Sequence, residues 1–184
     1  FIPCVVTAGG DHGNLTNEYA AIPAEMKQVA RLLGGETLRD VEDRVESSIA
    51  LLKGKVPDRA ILRALHFVDE DRRVREMLTA LKNDDLASFF DGVIASGESS
   101  WMLLQNLFVP GGDNQEMPLA LEMSRRMLTG RGAWRIHGGG FAGTILAFVP
   151  VDLMPAYREA MDSVFGQGAV KPLYIRPEGA VWLR

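Results

Sequence analysis

Three consecutive glycines, Gly138, Gly139 and Gly140, stand between two runs that read as strands, Arg135–His137 before them and Thr144–Val149 after. Glycines at 138, 140 and 143 satisfy G-x-G-x-x-G, yet a dinucleotide fingerprint needs a helix to open directly after the turn. Thr144 to Val149 is β-branched and apolar without helical spacing, so the turn joins neighbouring strands and the dinucleotide reading is set aside. No G-K-[ST] occurs anywhere in the chain, which removes a Walker A loop. Successive glycines can aim several backbone N–H groups into one concavity that favours an anion. A hairpin loop with no ligand is the plain alternative.

The 184 residues are 47% hydrophobic, enough for one substantial core in a single domain. A formal charge of −4 leaves no basic footprint, which argues against nucleic acid as a partner. No long uncharged apolar run predicts a membrane span, and no basic region followed by an apolar run reads as a signal peptide, so the expected location is cytoplasmic. Cys4, the one cysteine, cannot form an internal disulfide and reads as a buried small hydrophobe in an apolar strand. The three histidines, His12, His66 and His137, lie too far apart in sequence to assume a metal triad, and no carboxylate is spaced to complete one.

Hydrophobic spacing predicts a strand over Ile2–Thr7 and then a helix opened by Thr16 or Asn17, with Pro23 in its first turn and Gly34-Gly35 at its end. A shorter helix is expected from about Leu38 to Leu52, and a long one from Asp58 to about Lys82. The stripe Leu86, Phe90, Val93, Gly97, Trp101 and Leu104 predicts the next helix, packed antiparallel on the long one. A loop over Pro110–Asn114 precedes a helix ending near Leu128. Asp152 is read as the cap of a helix carrying Leu153, Ala156, Tyr157, Ala160, Met161, Val164 and Phe165, and short strands close the chain over Val170–Ile175 and Ala180–Leu183. This order describes an α+β fold, a mostly antiparallel sheet with helices packed on one face.

Arg135-Ile136-His137-Gly138-Gly139-Gly140-Phe141-Ala142-Gly143-Thr144 resembles the third motif of the GHMP kinases, in the form galactokinases carry, where a strand leads into Thr-Gly-Gly-Gly-Phe-Gly-Gly and a second strand leaves. Val5 to Tyr19 resembles the galactokinase strand and loop ending in a histidine, six residues, then a tyrosine; here these are His12 and Tyr19. Between the two matches, Arg63-Ala64-Leu65-His66 is similar to the family's Arg-Ala-x-His segment. The family's Gly-Glu-His-Thr-Asp signature, its ATP loop and its catalytic aspartate have no counterpart in these residues. The resemblance therefore implies that residues 1–184 are a single GHMP kinase C-terminal domain of ferredoxin-like type, without the N-terminal catalytic half.

The activity so implied is ATP-dependent phosphorylation of galactose to galactose 1-phosphate, with Mg²⁺ held mainly by the missing half and no catalytic residue in this chain. Tyr19 and His12 would touch the sugar. Gly138, Gly139, Gly140 and Gly143 would brace the phosphate side. The implied partners are galactose, ATP and the chain's own N-terminal domain, whose absence leaves room for dimerisation of an isolated chain. Two departures from the family stand out. His137 replaces the threonine before the glycines, and Ser96-Gly97-Glu98-Ser99-Ser100-Trp101 replaces Ser-His-x-Ser-Leu, with Trp101 to Asn106 where an acidic, tyrosine-containing segment is usual. They motivate the alternative of a non-catalytic galactose- and ATP-sensing paralogue on the same fold.

Overall fold

The computed structural model describes residues 1–9, 15–108, 113, 115–141, 143–179 and 182. Its sheet has four strands, β1 (Ile2–Gly9), β2 (Ala133–Ile136), β3 (Gly143–Val149) and β4 (Val170–Pro172), in the spatial order β2-β3-β1-β4 with every neighbouring pair antiparallel. Helix α6 (Glu116–Leu128) precedes β2, and α7 (Met154–Phe165) links β3 to β4. Strand, helix, strand, strand, helix, strand in this order is the ferredoxin-like arrangement. A long helical insert fills the connection between β1 and α6.

Alternation decides which face of the sheet carries the core. Cys4 and Val6 of β1 pair with alternate residues of β3, Cys4 opposite Ala147 and Val6 opposite Ile145, and Ala8, where the register shifts, joins them in the same core. Helices α6 and α7 cover that face with Met117, Leu121, Leu128, Met154, Tyr157 and Met161. The Tyr157 hydroxyl lies 2.8 Å from Ser124 Oγ, which in turn donates to the Ala120 carbonyl, so neither buried hydroxyl is left unpaired. Cys4 is fully buried and burial pushes its thiol up to about 11, as befits a small hydrophobe. The reverse face is used at one corner, where Phe148 of β3 meets Phe89 and Phe90 of the insert.

The insert comprises α1 (Thr16–Leu32), the short α2 (Glu42–Val45) and α3 (Ile49–Leu52), the long α4 (Asp58–Lys82), α5 (Leu86–Ser99) and a five-residue π-helical segment, Ser100–Leu104. It encloses a second core of Val29, Ala30, Val41, Val45, Leu52, Ala60, Ile61 and Ala64. Residues 38–52 do not form the single helix their spacing predicts. Asp40 accepts from the Glu36 and Thr37 N–H groups, which starts a 3₁₀ turn, and the Ser47 hydroxyl bonds back to the Arg44 carbonyl, so local side-chain bonds divide the segment into short pieces.

Other expectations shift by a turn or less. Pro23 lies in the interior of α1 rather than its first turn. Asp152 pairs with Arg131 and sits in a 3₁₀ turn ahead of α7. Strand β4 ends at Pro172, one further bond, from the Leu173 N–H to the Pro3 carbonyl at 2.7 Å, ties the chain to β1, and Tyr174 and Ile175 beyond it are exposed. The strand expected over Ala180–Leu183 lies outside the described residues apart from Trp182, as does most of the loop expected over Pro110–Asn114.

Helices α1 and α4 are joined by ions. Arg63 of α4 is fully buried, and its Nη1 donates to Glu25 Oε2 of α1 at 2.9 Å, while Arg59 Nε reaches the same carboxylate from the rim at 3.1 Å. The Arg63 Nε donates to the Leu104 carbonyl at 3.1 Å, where the π segment ends. Glu25→Ala would strand the buried guanidinium, and the expected loss of unfolding free energy in urea is about 3 kcal/mol or more. Glu25→Gln, which keeps a hydrogen-bond acceptor, is expected to lose less.

Candidate functional site

Tyr19 lies in the first turn of α1, which presents its ring to the glycine turn between β2 and β3. Its hydroxyl donates to the Gly140 carbonyl at 2.8 Å, and the ring stands edge-on to Phe141 with centroids 5.3 Å apart. A Cβ on Gly139 would sit 3.1 Å from the Tyr19 ring, so glycine there lets the tyrosine close on the turn. Leu15 and Ile22 pack around Phe141.

The turn's backbone is unusual. Gly138, Gly140 and Phe141 have φ of +74°, +85° and +61°, so a left-handed non-glycine residue closes the turn. Phe141 holds that conformation while 6% exposed, its N–H donating to the main-chain carbonyl of Asn106. The Asn106 side chain meets the turn as well, Nδ2 donating to the Gly139 carbonyl at 3.0 Å. Two carbonyls of the turn are thus committed to protein donors. The N–H groups of Gly138 and Gly139 belong to exposed residues and meet no protein acceptor among the described residues. Alternating left-handed backbone with outward N–H groups is the geometry of an anion-binding nest.

Asn106 is the residue that sequence reasoning missed. It sits where the π segment ends, after Gln105, which is left-handed at φ +57° and donates its N–H to the Ser100 carbonyl at 2.8 Å. The five-residue turn breaks the helical register, which is why Trp101, aligned with the buried stripe in the sequence, emerges 41% exposed. No periodic signal marks such a position. The run Ser-Gly-Glu-Ser, noted only as a departure, does have structural work: Ser96 Oγ donates to Glu70 at 2.6 Å and Ser99 Oγ lies 2.9 Å from His66 Nδ1.

Of the residues singled out in the sequence, Tyr19 and Gly138–Gly140 converge. Gly143 stands apart from that turn: it opens β3, paired with Gly9, where the ladder register shifts. His12 lies outside the described residues. His137 is exposed, its N–H bonded to the Thr144 carbonyl at 3.0 Å. Among the described residues no group of three or more His, Cys, Asp or Glu is placed to hold a metal ion. A cavity of about 380 Å³, walled by Ile94, Trp101, Met102, Leu121 and Trp134, includes neither Tyr19 nor the glycine turn.

His66 belongs to a buried polar layer between α4, α5 and β2. Burial, with further help from the charges of Arg73 and Arg135, holds its imidazole down to about 4. Burial and the nearby Arg73 also lower the Arg135 guanidinium pKa. His66 is therefore a neutral packing histidine bonded to Ser99, with no exposed face for chemistry.

Galactokinase of Haemophilus influenzae strain PittEE is 30% identical to this chain over 156 residues, 84% of the chain and 39% of the relative. Galactokinase of Glaesserella parasuis serovar 5 is 28% identical over 157 residues, with the same two shares. The chain thus spans about two fifths of the length of these curated relatives. A crystal structure of Lactococcus lactis galactokinase complexed with galactose superposes with a TM-score of 0.71 at 21% identity, covering 89% of this chain and 41% of that one. No family model matches.

The neutral His66 makes folding sensitive to acid. Its folded pKa of about 4 lies below the ordinary 6.5, so between these values the unfolded chain binds more protons. Stability is therefore full above pH 6.5 and declines as pH falls toward 4, by about 3 kcal/mol from this group. His66→Gln, which can still bond Ser99, is expected to flatten that part of the profile in urea titrations run from pH 7 to pH 4. An equally steep decline in the variant would assign the loss to other groups.

Proposed function

We propose that this chain, homologous to galactokinases over 84% of its length, is a single C-terminal GHMP kinase domain of a sugar kinase that transfers the γ-phosphoryl group of ATP to the anomeric hydroxyl of galactose. The observation that supports this reading is the meeting of Tyr19 with the glycine turn: the tyrosine that the resemblance assigns to the sugar bonds, at 2.8 Å, the turn that it assigns to the phosphate.

Phosphoryl transfer needs little covalent chemistry from protein and depends on positioning and charge stabilisation. In this domain Tyr19 and His12 would line the sugar side. The Tyr19 hydroxyl donates to the Gly140 carbonyl, and its ring offers a sugar an apolar edge. The N–H groups of Gly138 and Gly139 would receive phosphate oxygens, while Gly143 sets the start of β3 behind them. The Mg²⁺ ligands, like the catalytic base, belong in this proposal mainly to the N-terminal half of a longer cytoplasmic protein.

Assay of the whole protein with galactose and ATP, following galactose 1-phosphate by phosphorus NMR, tests the proposal; the 184-residue chain alone is expected to be inactive. Tyr19→Phe removes the hydroxyl that bonds the Gly140 carbonyl, at about 1 kcal/mol for such a bond, and is expected to raise the galactose KM roughly fivefold. An unchanged KM for every hexose tried would remove Tyr19 from the sugar side. Binding of galactose and ATP without turnover would identify a sensor instead of a kinase.

A further inference from the structure

We infer that Asn106 is a positioning residue that locks the glycine turn in its anion-facing form and thereby sets the affinity for the nucleotide's phosphates; the inference rests on the kinase reading above. The peptide linking Gly139 to Gly140 is flanked by glycine on both sides, so no Cβ opposes its rotation. Its orientation nevertheless decides the sign of the local field. That peptide carries the Gly139 carbonyl and the N–H of the buried Gly140, so a flip would leave the exposed N–H groups of Gly138 and Gly139 in place and turn the Gly139 carbonyl out beside them. An outward carbonyl repels phosphate.

Asn106 fixes the choice from two sides. Its Nδ2 holds the Gly139 carbonyl inward at 3.0 Å, and its main-chain carbonyl receives the Phe141 N–H, so Gly140 is bracketed by one residue. The fit is close enough that a Cβ on Gly140 would be driven into the Asn106 carbonyl and amide. Asn106 itself is 3% exposed and sits at the end of the π segment, whose last carbonyl, on Leu104, is held by the buried Arg63. Its Oδ1 is buried with no hydrogen-bond partner, so the side chain is retained there at a cost in stability, in return for the one donor the turn uses.

Asn106→Leu tests this, because leucine nearly matches asparagine in volume, removes the donor and also removes the unpartnered acceptor. In the whole protein the KM for ATP is expected to rise about tenfold, with the galactose KM within about twofold of the parent and little change in melting temperature. An unchanged ATP KM, or equal rises in both constants, would overturn the assignment. If the whole protein phosphorylates no sugar, the kinase reading fails by itself and amide exchange decides the structural claim. Exchange at Phe141, whose N–H bonds to the Asn106 carbonyl, followed by NMR, is then expected to speed up about tenfold in Asn106→Leu, and unchanged exchange there would overturn it.

Discussion

The buried pair of Arg63 and Glu25 is the contact on which the rest of the insert depends. A guanidinium taken wholly out of water must find acceptors for its rigid fork, and here one prong meets a carboxylate on α1 while another meets the Leu104 carbonyl. A leucine or methionine pair could fill the same space, yet neither could join a helix flank to a helix end. Through Leu104 the pair fixes the close of the π segment, and through Asn106 that segment fixes the glycine turn. A succession of contacts thus connects the buried ion pair to the turn.

Much of the fold was legible because its elements are periodic. The strands around the glycines and the helix ending at Phe165 follow alternation and three-to-four spacing, and the element order already implied an α+β fold with a mostly antiparallel sheet, its ferredoxin-like type coming from the resemblance. Legibility failed where local side-chain bonds or a register break intervened. Ser47 and Asp40 divide residues 38–52 without altering their apolar spacing. The π segment moves Trp101 off the buried stripe and brings Asn106 onto the turn, and a window tuned to 3.6 residues per turn registers neither event. The bond between Tyr19 and Gly140 was not legible: the resemblance assigned the two to different sides of one site, and they stand 121 positions apart with no pattern to link them.

In the proposed site a phosphate would meet the backbone N–H groups of Gly138 and Gly139. Such donors neither titrate nor change rotamer, so their contribution is fixed once the turn is formed and varies little with pH. The buried polar layer around His66, Glu70, Arg73 and Arg135 is a separate matter: it seals α4 and α5 against β2 and supplies no group to the turn.

The placement of β1 has a consequence for how the chain acquires its structure. Ile2 pairs with Val149, so the first strand has no partner until most of the chain has been made, and the sheet closes only across a very large loop. The helical insert has its own core, drawn from residues between Val29 and Ala64, and can consolidate from near-neighbour contacts meanwhile. Until β3 arrives, the apolar edge of Cys4, Val6 and Ala8 is an unpaired strand in search of a ladder. That interval, rather than the folded state, is when this chain is most exposed to self-association.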